Sequence, residues 1–416
     1  MNTSSSWQKK VIRQLGVVVT GTTPSTKKPE YYGDEYKLIS PADLDNGKYV
    51  TSAHRMLSAL GLAQCRVLPK DTVLVGCIGN VGKIGMVADE KAATNQQINA
   101  VICNPDHDPH FVYYSLQYNR QRLERAAVRT TLPILNKSNF ERIDLDIPLL
   151  PEQRGIAHVL SKMQFITEQQ SRLIDRTREL KAALMHKVFT KGLHNDGQKE
   201  TEIGPVPKSW EQMRLEKTGD VIYGIQAAVA NNLQPIGIKI LTNKNITLDG
   251  QIVLDEINFF ELKTQRHFET LLKKGDILFN WRSGSKEHIG KTAYFDLDGE
   301  YTHSSFILRI RPNEKIHGRF LFWYLYFLRS SGYFIQKHDI SSVNATFNKS
   351  AVDALPVFLP SKKEQEEIAS MLDTVDMKNI LLKQKRELQE ELFRTLIHQL
   401  MTGQIQVHNV ELPDVS

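Results

Sequence analysis

The side chains of this chain that could do chemistry are polar, and they cluster in loops. Asn80 and Lys83 lie in "NVGK", Asn95, Gln96 and Gln97 in "TNQQ", Arg129, Thr130 and Thr131 in "RTT", and Asn136 and Lys137 in "NKS". Further on, Arg282, Ser285 and Lys286 lie in "WRSGSKEH", His303 and Ser304 in "THSS", and Asn344, Asn348 and Lys349 in "SSVNATFNK". Asn and Gln can pair with the edge of adenine, and Arg or Lys with guanine, in a DNA major groove. Lys, Ser, Thr and backbone N–H groups can hold phosphates. Taken singly, each loop is better explained as ordinary solvated polypeptide. Catalytic patterns are missing. "GNVGKIG" (79–85) fits neither dinucleotide nor P-loop spacing and reads as a hairpin turn. "NPDH" (104–107) departs from the Asn-Pro-Pro-Tyr pattern of amino-methylating enzymes. There is no HExxH, GxSxG or DFG. The 13 histidines lack metal-ligand spacing, so no metal site is expected.

Hydrophobic content of 41% and charged content of 24% are those of an ordinary globular protein. A net charge of +6 is compatible with a nucleic-acid partner, although many basic proteins bind none. Cys65, Cys77 and Cys103 form neither a disulfide framework nor a zinc knuckle. A reducing, cytoplasmic setting is expected, with no secretory leader and no membrane span. At 416 residues there is room for two domains and connectors.

The elements that must position these loops are written twice. "PEQRGIAHVL" (151–160) returns 212 residues later as "KEQEEIASML" (363–372), so that Glu152, Gln153, Ile156 and Leu160 match Glu364, Gln365, Ile368 and Leu372. "NKS" recurs at 136–138 and 348–350, and Leu180 and Leu184 match Leu392 and Leu396. "WQKKVIRQLGVVVTG" (7–21) matches "WEQMRLEKTGDVIYG" (210–224) at an offset of 203. Between these anchors the match decays. A shared scaffold carrying two different readers explains that pattern better than a uniform solenoid.

The matched ends read as long helices. Ile156, Leu160, Met163, Ile166, Leu173, Leu180, Leu184 and Val188 keep 3/4 spacing, as do Ile368, Leu372, Val375, Leu382, Leu392, Leu396 and Leu400. Residues 152–190 carry seven Lys/Arg against four Asp/Glu, and residues 364–402 five against eight. Opposite charge favours pairing of the two helices with each other, in an antiparallel coiled coil. Gln170, Thr177, Asn379 and Gln389 interrupt the seams and can fix register. The bodies at 1–150 and 210–360 mix short strands, Gly-rich turns and helices, and read as mixed α/β. The connector 193–209 reads as an exposed, Gly/Pro-rich linker, and 404–416 as a tail.

The whole pattern resembles the specificity subunit of type I restriction–modification enzymes. It rests on "WQKKVIRQLGVVVTGTTPS", "NKS…IPLLPEQRGIAHVL" with its helix ending "FTKGL", the connector "ETEIGPVPKSW", and a second copy running to "EQEEIASML" and "LMTGQI". The second copy departs in "LPSKKEQ", which lacks Pro directly before Glu-Gln. The resemblance implies two target recognition domains (1–150 and 210–360), each reading one half of a split site in double-stranded DNA. It also implies two spacer helices (151–192 and 361–403) in a pseudo-twofold repeat. These set the gap and dock methyltransferase subunits through the matched helix residues. S-adenosylmethionine, ATP and Mg are then expected on the methyltransferase and restriction subunits, and none in this chain, which would not be an enzyme. The competing reading is a coiled-coil DNA-binding regulator that needs no methyltransferase.

Overall fold

The computed structural model describes residues 7–407, apart from 46, 129–131, 195, 227–232, 235, 284 and 338–344. The chain divides into two compact units. One joins Met1–Leu173 to Leu382–Ser416, and the other is Ile174–Leu381. Each unit therefore owns one globular body, the near half of one long helix and the far half of the other.

In the first unit a five-stranded sheet runs in the order Gly16–Thr20, Ile98–Cys103, Val73–Gly76, Ile84–Val87, Tyr49–Val50. "VLVG" and "IGMV" are buried at every position, as expected of central strands covered on both faces. Gly79 and Gly82 in the turn between them have φ of +75° and +87°, a region that favours glycine. The second unit repeats the first four places as Gly219–Tyr223, Ile307–Pro312, Ile277–Asn280 and Thr292–Tyr294. A parallel pair also recurs, Leu38 opposite Ala93 in one unit and Ile240 opposite Thr302 in the other. So does an antiparallel pair that closes each body, Gln8–Val11 with Asp144–Ile147 and Glu211–Arg214 with Pro356–Leu359. The helices Pro109–Tyr118 and Gly318–Ser330 occupy matching places and contribute most of their residues to the cores.

The long helices span Leu150–Lys191 and Lys362–Met401. In the first unit Ile156, Leu160 and Met163 share a core with Leu396, Ile397 and Leu400. In the second unit Met185, Val188 and Phe189 share a core with Ile368, Ala369 and Leu372. In each unit the beginning of one helix meets the end of the other, so the pairing is antiparallel. Three of the polar seam residues, Gln170, Thr177 and Asn379, are buried too, while Gln389 is half-buried. Gln170 donates to the Leu382 carbonyl at 2.9 Å, and Asn379 is only 6% exposed.

Three seam residues stand differently from the expectation. Leu173, Leu180 and Leu392 are exposed, at 42%, 58% and 45%. The buried stripe passes instead through Ile174, Thr177, Lys181, Met185 and Val188, with Leu184 partly covered. At 100° per residue, burying Lys181 turns Leu180 outward. Lys181 can be buried because Asp376 holds its ammonium at 2.7 Å and the rings of Trp323 and Tyr326 lie beneath it.

The repeated Glu-Gln has a local cause. Gln153 is buried, donates to the Pro148 carbonyl at 2.9 Å and accepts from the Asp108 N–H at 2.9 Å. Gln365 does the same, donating to Pro360 at 3.1 Å and accepting from the His317 N–H at 2.7 Å. Asp108 and His317 are the N-caps of the two core helices. One amide thus ties the start of each long helix to the start of a helix in its body, its NH2 donating while its oxygen accepts. The glutamates differ. Glu152 accepts from the Trp7 indole N–H at 3.1 Å, whereas Glu364 accepts from the Leu193 N–H at 3.0 Å. The connector is also more than a linker. Gln198–Thr201 and Gly204–Pro207 pair as an antiparallel hairpin, and Val206 and Trp210 are buried in the core.

Candidate nucleic-acid interface

At one end of the sheet in the first unit the backbone brings three of the candidate loops together. The Cys77 N–H donates to Gln97 and the Leu135 N–H to Cys77, both at 2.8 Å, while the Gly79 N–H donates to Pro133 at 3.0 Å. The hairpin turn with Asn80 and Lys83, the return loop 95–97, and the strand leading to Asn136 are therefore neighbours. Asn80 and Gln96 are exposed; Lys83, Asn95 and Gln97 are half-buried. Asn95 and Gln97 brace each other, side-chain amide to side-chain amide at 3.2 Å. Arg129, Thr130 and Thr131 lie outside the described residues.

The second unit builds the same edge from different side chains. The Trp281 N–H donates to Phe306, the Phe347 N–H donates to Trp281, and Arg282 and Ser283 pair with Thr346 and Ala345. Arg282 is half-buried over the Phe306 ring at 5.7 Å, and Ser285 is exposed. The backbone of Lys286 is in a short 3-10 turn. Its side chain, and Asn344, lie outside what is described.

Four candidates already have structural work. Asn136 and Asn348 are N-caps whose side chains accept from the Asn139 and Ala351 N–H groups at 2.8 and 3.0 Å. Lys137 and Lys349 make i,i+4 ion pairs with Glu141 and Asp353. The repeated "NKS" is thus a helix start in both copies. His303 and Ser304 are buried, at 0% and 4% exposure, and in this structure offer nothing to a ligand in solvent. Burial pushes the His303 imidazole down to about 4, so it is neutral at pH 7.

A further loop at the first edge escaped the polar-residue reading. The Thr22 N–H donates to Thr94 at 2.9 Å, and the Thr23 hydroxyl donates to Gln96 at 2.7 Å. This sets "TTPSTKK" (22–28), with exposed Lys27 and Lys28, beside the return loop. The signal was the glycine shared by the two opening segments. A Cβ on Gly21 would lie 2.2 Å from the Asn95 carbonyl oxygen, and one on Gly224 would lie 2.3 Å from that of His303. Both copies need glycine to let this strand end approach the return loop.

Burial pushes the Cys77 thiol up to about 11 and the Cys103 thiol up to about 12, far from thiolate reactivity. Among the described residues no three His, Cys, Asp or Glu side chains are grouped to hold a metal ion, and no helix is long and apolar enough to cross a membrane.

The duplicated body with its matched helix has known counterparts. The type I restriction modification DNA specificity domain matches residues 4–176 and again 207–390. The chain belongs to the type I restriction–modification specificity subunit family. It is 26% identical over 339 residues to the type I restriction enzyme MjaVIII specificity subunit of Methanocaldococcus jannaschii, covering 79% of this chain and 76% of that one. It is 24% identical over 421 residues to the putative MjaX specificity subunit of the same organism, covering 96% and 94%. In fold it is similar to the crystal structure of the S subunit from M. genitalium, with a TM-score of 0.64, 16% identity, and 100% and 98% of the two chains covered. The specificity-subunit fold is a mixed α/β one, with two recognition-domain copies and two long helices.

Proposed function

We propose that each unit's polar edge reads one half of a bipartite site in double-stranded DNA, and that this chain is the non-catalytic reader for methyltransferase and restriction subunits. The observation that carries this is the pairing of one backbone edge with two unlike sets of side chains. Asn95, Gln96 and Gln97 occupy the return loop of one unit, and Ser304, Ser305 and Phe306 that of the other. One scaffold with two surfaces is the arrangement needed to read two different half-sites. The reading residues proposed are Asn80, Lys83, Asn95, Gln96 and Gln97 in one unit and Arg282 and Ser285 in the other, with Lys27 and Lys28 added as phosphate contacts. S-adenosylmethionine, ATP and Mg belong to the partner subunits.

The long helices set the gap between half-sites, about one helical turn of DNA, or ~10 bp centre to centre. Their exposed apolar residues, Leu180 and Leu392 among them, dock the methyltransferase subunits, since apolar side chains left outside a seam favour a partner's cover. Methylome sequencing of a host expressing this chain with its methyltransferase subunit tests the reading. One split motif is expected. Gln96→Ala with Gln97→Ala should relax only one half of it, and relaxation of both halves would sink the assignment. A continuous motif, or DNA binding with no methyltransferase retained in a pull-down, would favour the regulator instead.

A further inference from the structure

Besides its core helix, each globular body sets one loop against the long helices, and the two copies solve that contact with the same positions but opposite placement of charge. In the first unit the loop is "GKY" (47–49). Lys48 is 8% exposed, and its ammonium donates to the Ser161 hydroxyl at 2.7 Å on the first long helix. It lies 4.8 Å from the ring centre of Tyr114 and 5.7 Å from that of Tyr113. The Tyr114 hydroxyl in turn donates to Gln164 at 2.9 Å, and its ring packs edge-on against Phe393 of the second long helix. Asp71, Asp108 and Glu168 act on Lys48 through space, yet burial outweighs them and draws its ammonium down to about 8.

In the second unit the loop is "GQI" (250–252), 203 residues on. Gln251 takes the place of Lys48 and donates to Asp376 at 3.2 Å. Asp376 stands 212 residues after Gln164, and Asp373 stands 212 after Ser161. Trp323 replaces Tyr114 as the aromatic link, donating its indole N–H to Asp373 at 2.8 Å. The cation now comes from the other helix. Lys181, which stands 212 before Phe393, donates to Asp376 at 2.7 Å and covers the Trp323 and Tyr326 rings at 5.1 and 4.8 Å. Each junction therefore buries one ammonium against aromatic faces, fixed by a polar group on a long helix. It is contributed by the body in one copy and by the helix in the other.

We infer that Lys48 with Ser161, and Gln251 with Asp376 and Lys181, are equivalent positioning latches that seat each recognition domain on the helices and so fix the gap at which its half-site is read. A body that merely folds against a helix needs no buried ammonium there, and apolar packing would serve it as well. A directed, charge-assisted contact fixes one angle and one register. The effect on the gap rests on the bipartite reading proposed above; the latch itself does not.

The test uses the full chain and two readouts. Hydrogen exchange on the chain alone reports the latch. Lys48→Met, which keeps the aliphatic stem, should raise exchange of the Met86 amide, which donates to the Lys48 carbonyl, at least tenfold. The triple variant Lys48→Gln, Gln164→Asp, Phe393→Lys rebuilds the second unit's latch in the first. It should return that exchange to within about threefold of the parent. Unchanged exchange in Lys48→Met, or no recovery in the triple variant, overturns the latch whatever the DNA result. Methylome mapping with the methyltransferase subunit then reports the gap. Lys48→Met should add sites whose gap is one base pair longer or shorter, with both half-site sequences unchanged. A uniform fall in methylation at one strict gap overturns the positioning role. A parent that methylates no split site fails the bipartite reading while leaving the exchange result standing.

Discussion

At Gln153 and Gln365 the two copies make the same two hydrogen bonds, at 2.9 and 2.9 Å in one and 3.1 and 2.7 Å in the other. At the polar edges, where Asn95–Gln97 in one copy stand opposite Ser304–Phe306 in the other, only the backbone pairing is shared. The helix starts are buried, and every polar atom there needs a partner, so few substitutions satisfy the site. At the edges Asn80, Gln96 and Ser285 meet solvent, where a polar side chain needs no partner within the fold. Duplication can therefore leave the first region alike and let the second diverge. On the bipartite reading proposed above, that division lets one scaffold present two different reading surfaces.

The comparison can be broken most severely at an edge position where the fold does make a demand. Gly21→Ala and Gly224→Ala each place a methyl group against backbone carbonyl oxygens that cannot swing aside. Each should cost ~3 kcal/mol or more, or prevent folding, as read by urea denaturation or soluble yield. A loss under about 1 kcal/mol would show that the strand end has room and that the edges are less constrained in backbone than these close approaches imply.

Next come the helix starts. Gln153→Ala leaves the Pro148 carbonyl and the Asp108 N–H buried without that partner, and Gln365→Ala does the same to Pro360 and His317. Each should cost about 2–3 kcal/mol, and the two losses should be alike. Markedly unequal losses would deny that the copies share one solution. The "NKS" caps are a milder version. Asn136→Ala and Asn348→Ala should each cost about 1 kcal/mol, with little effect on which DNA is methylated. A change in half-site from either would return these asparagines to the reading surface.

These positions show what sequence could and could not tell. The repeat, the long helices and the hairpin at 73–88 were legible, because periodicity and glycine spacing are local. The Glu-Gln repeat was visible, yet its cause was not, since Asp108 and His317 lie 45 and 48 residues from their glutamines. Leu180 was misplaced in the seam because apolar spacing alone favours a leucine over a lysine. Only the Asp376 carboxylate and the Trp323 and Tyr326 rings make Lys181 the better buried residue. At the edges, residue chemistry found polar loops but could not separate exposed Gln96 from buried His303, because that distinction lies in packing.

The smallest expected effect sharpens the comparison at the junction of body and helix. Lys48 titrates near 8 when folded, against an ordinary value of 10.5, because burial among Tyr49, Tyr113, Tyr114 and Ser161 outweighs Asp71, Asp108 and Glu168. Between pH 8 and 10.5 the unfolded chain therefore binds a proton that the folded chain has released. Stability should rise with pH across that window, relative to a chain without this group. The tyrosines facing Lys48 are themselves held above their usual range by burial, which works the other way at high pH, but they are common to both proteins in a comparison with Lys48→Met. The melting temperature of the parent minus that of Lys48→Met should accordingly be larger at pH 9.5 than at pH 7.5, by about 2 °C. The same subtraction with Gln251→Met should be flat over this range, because an amide does not titrate. A flat result for Lys48 as well would mean that its ammonium is not held away from water, and the two junctions would then differ in residue type without differing in charge.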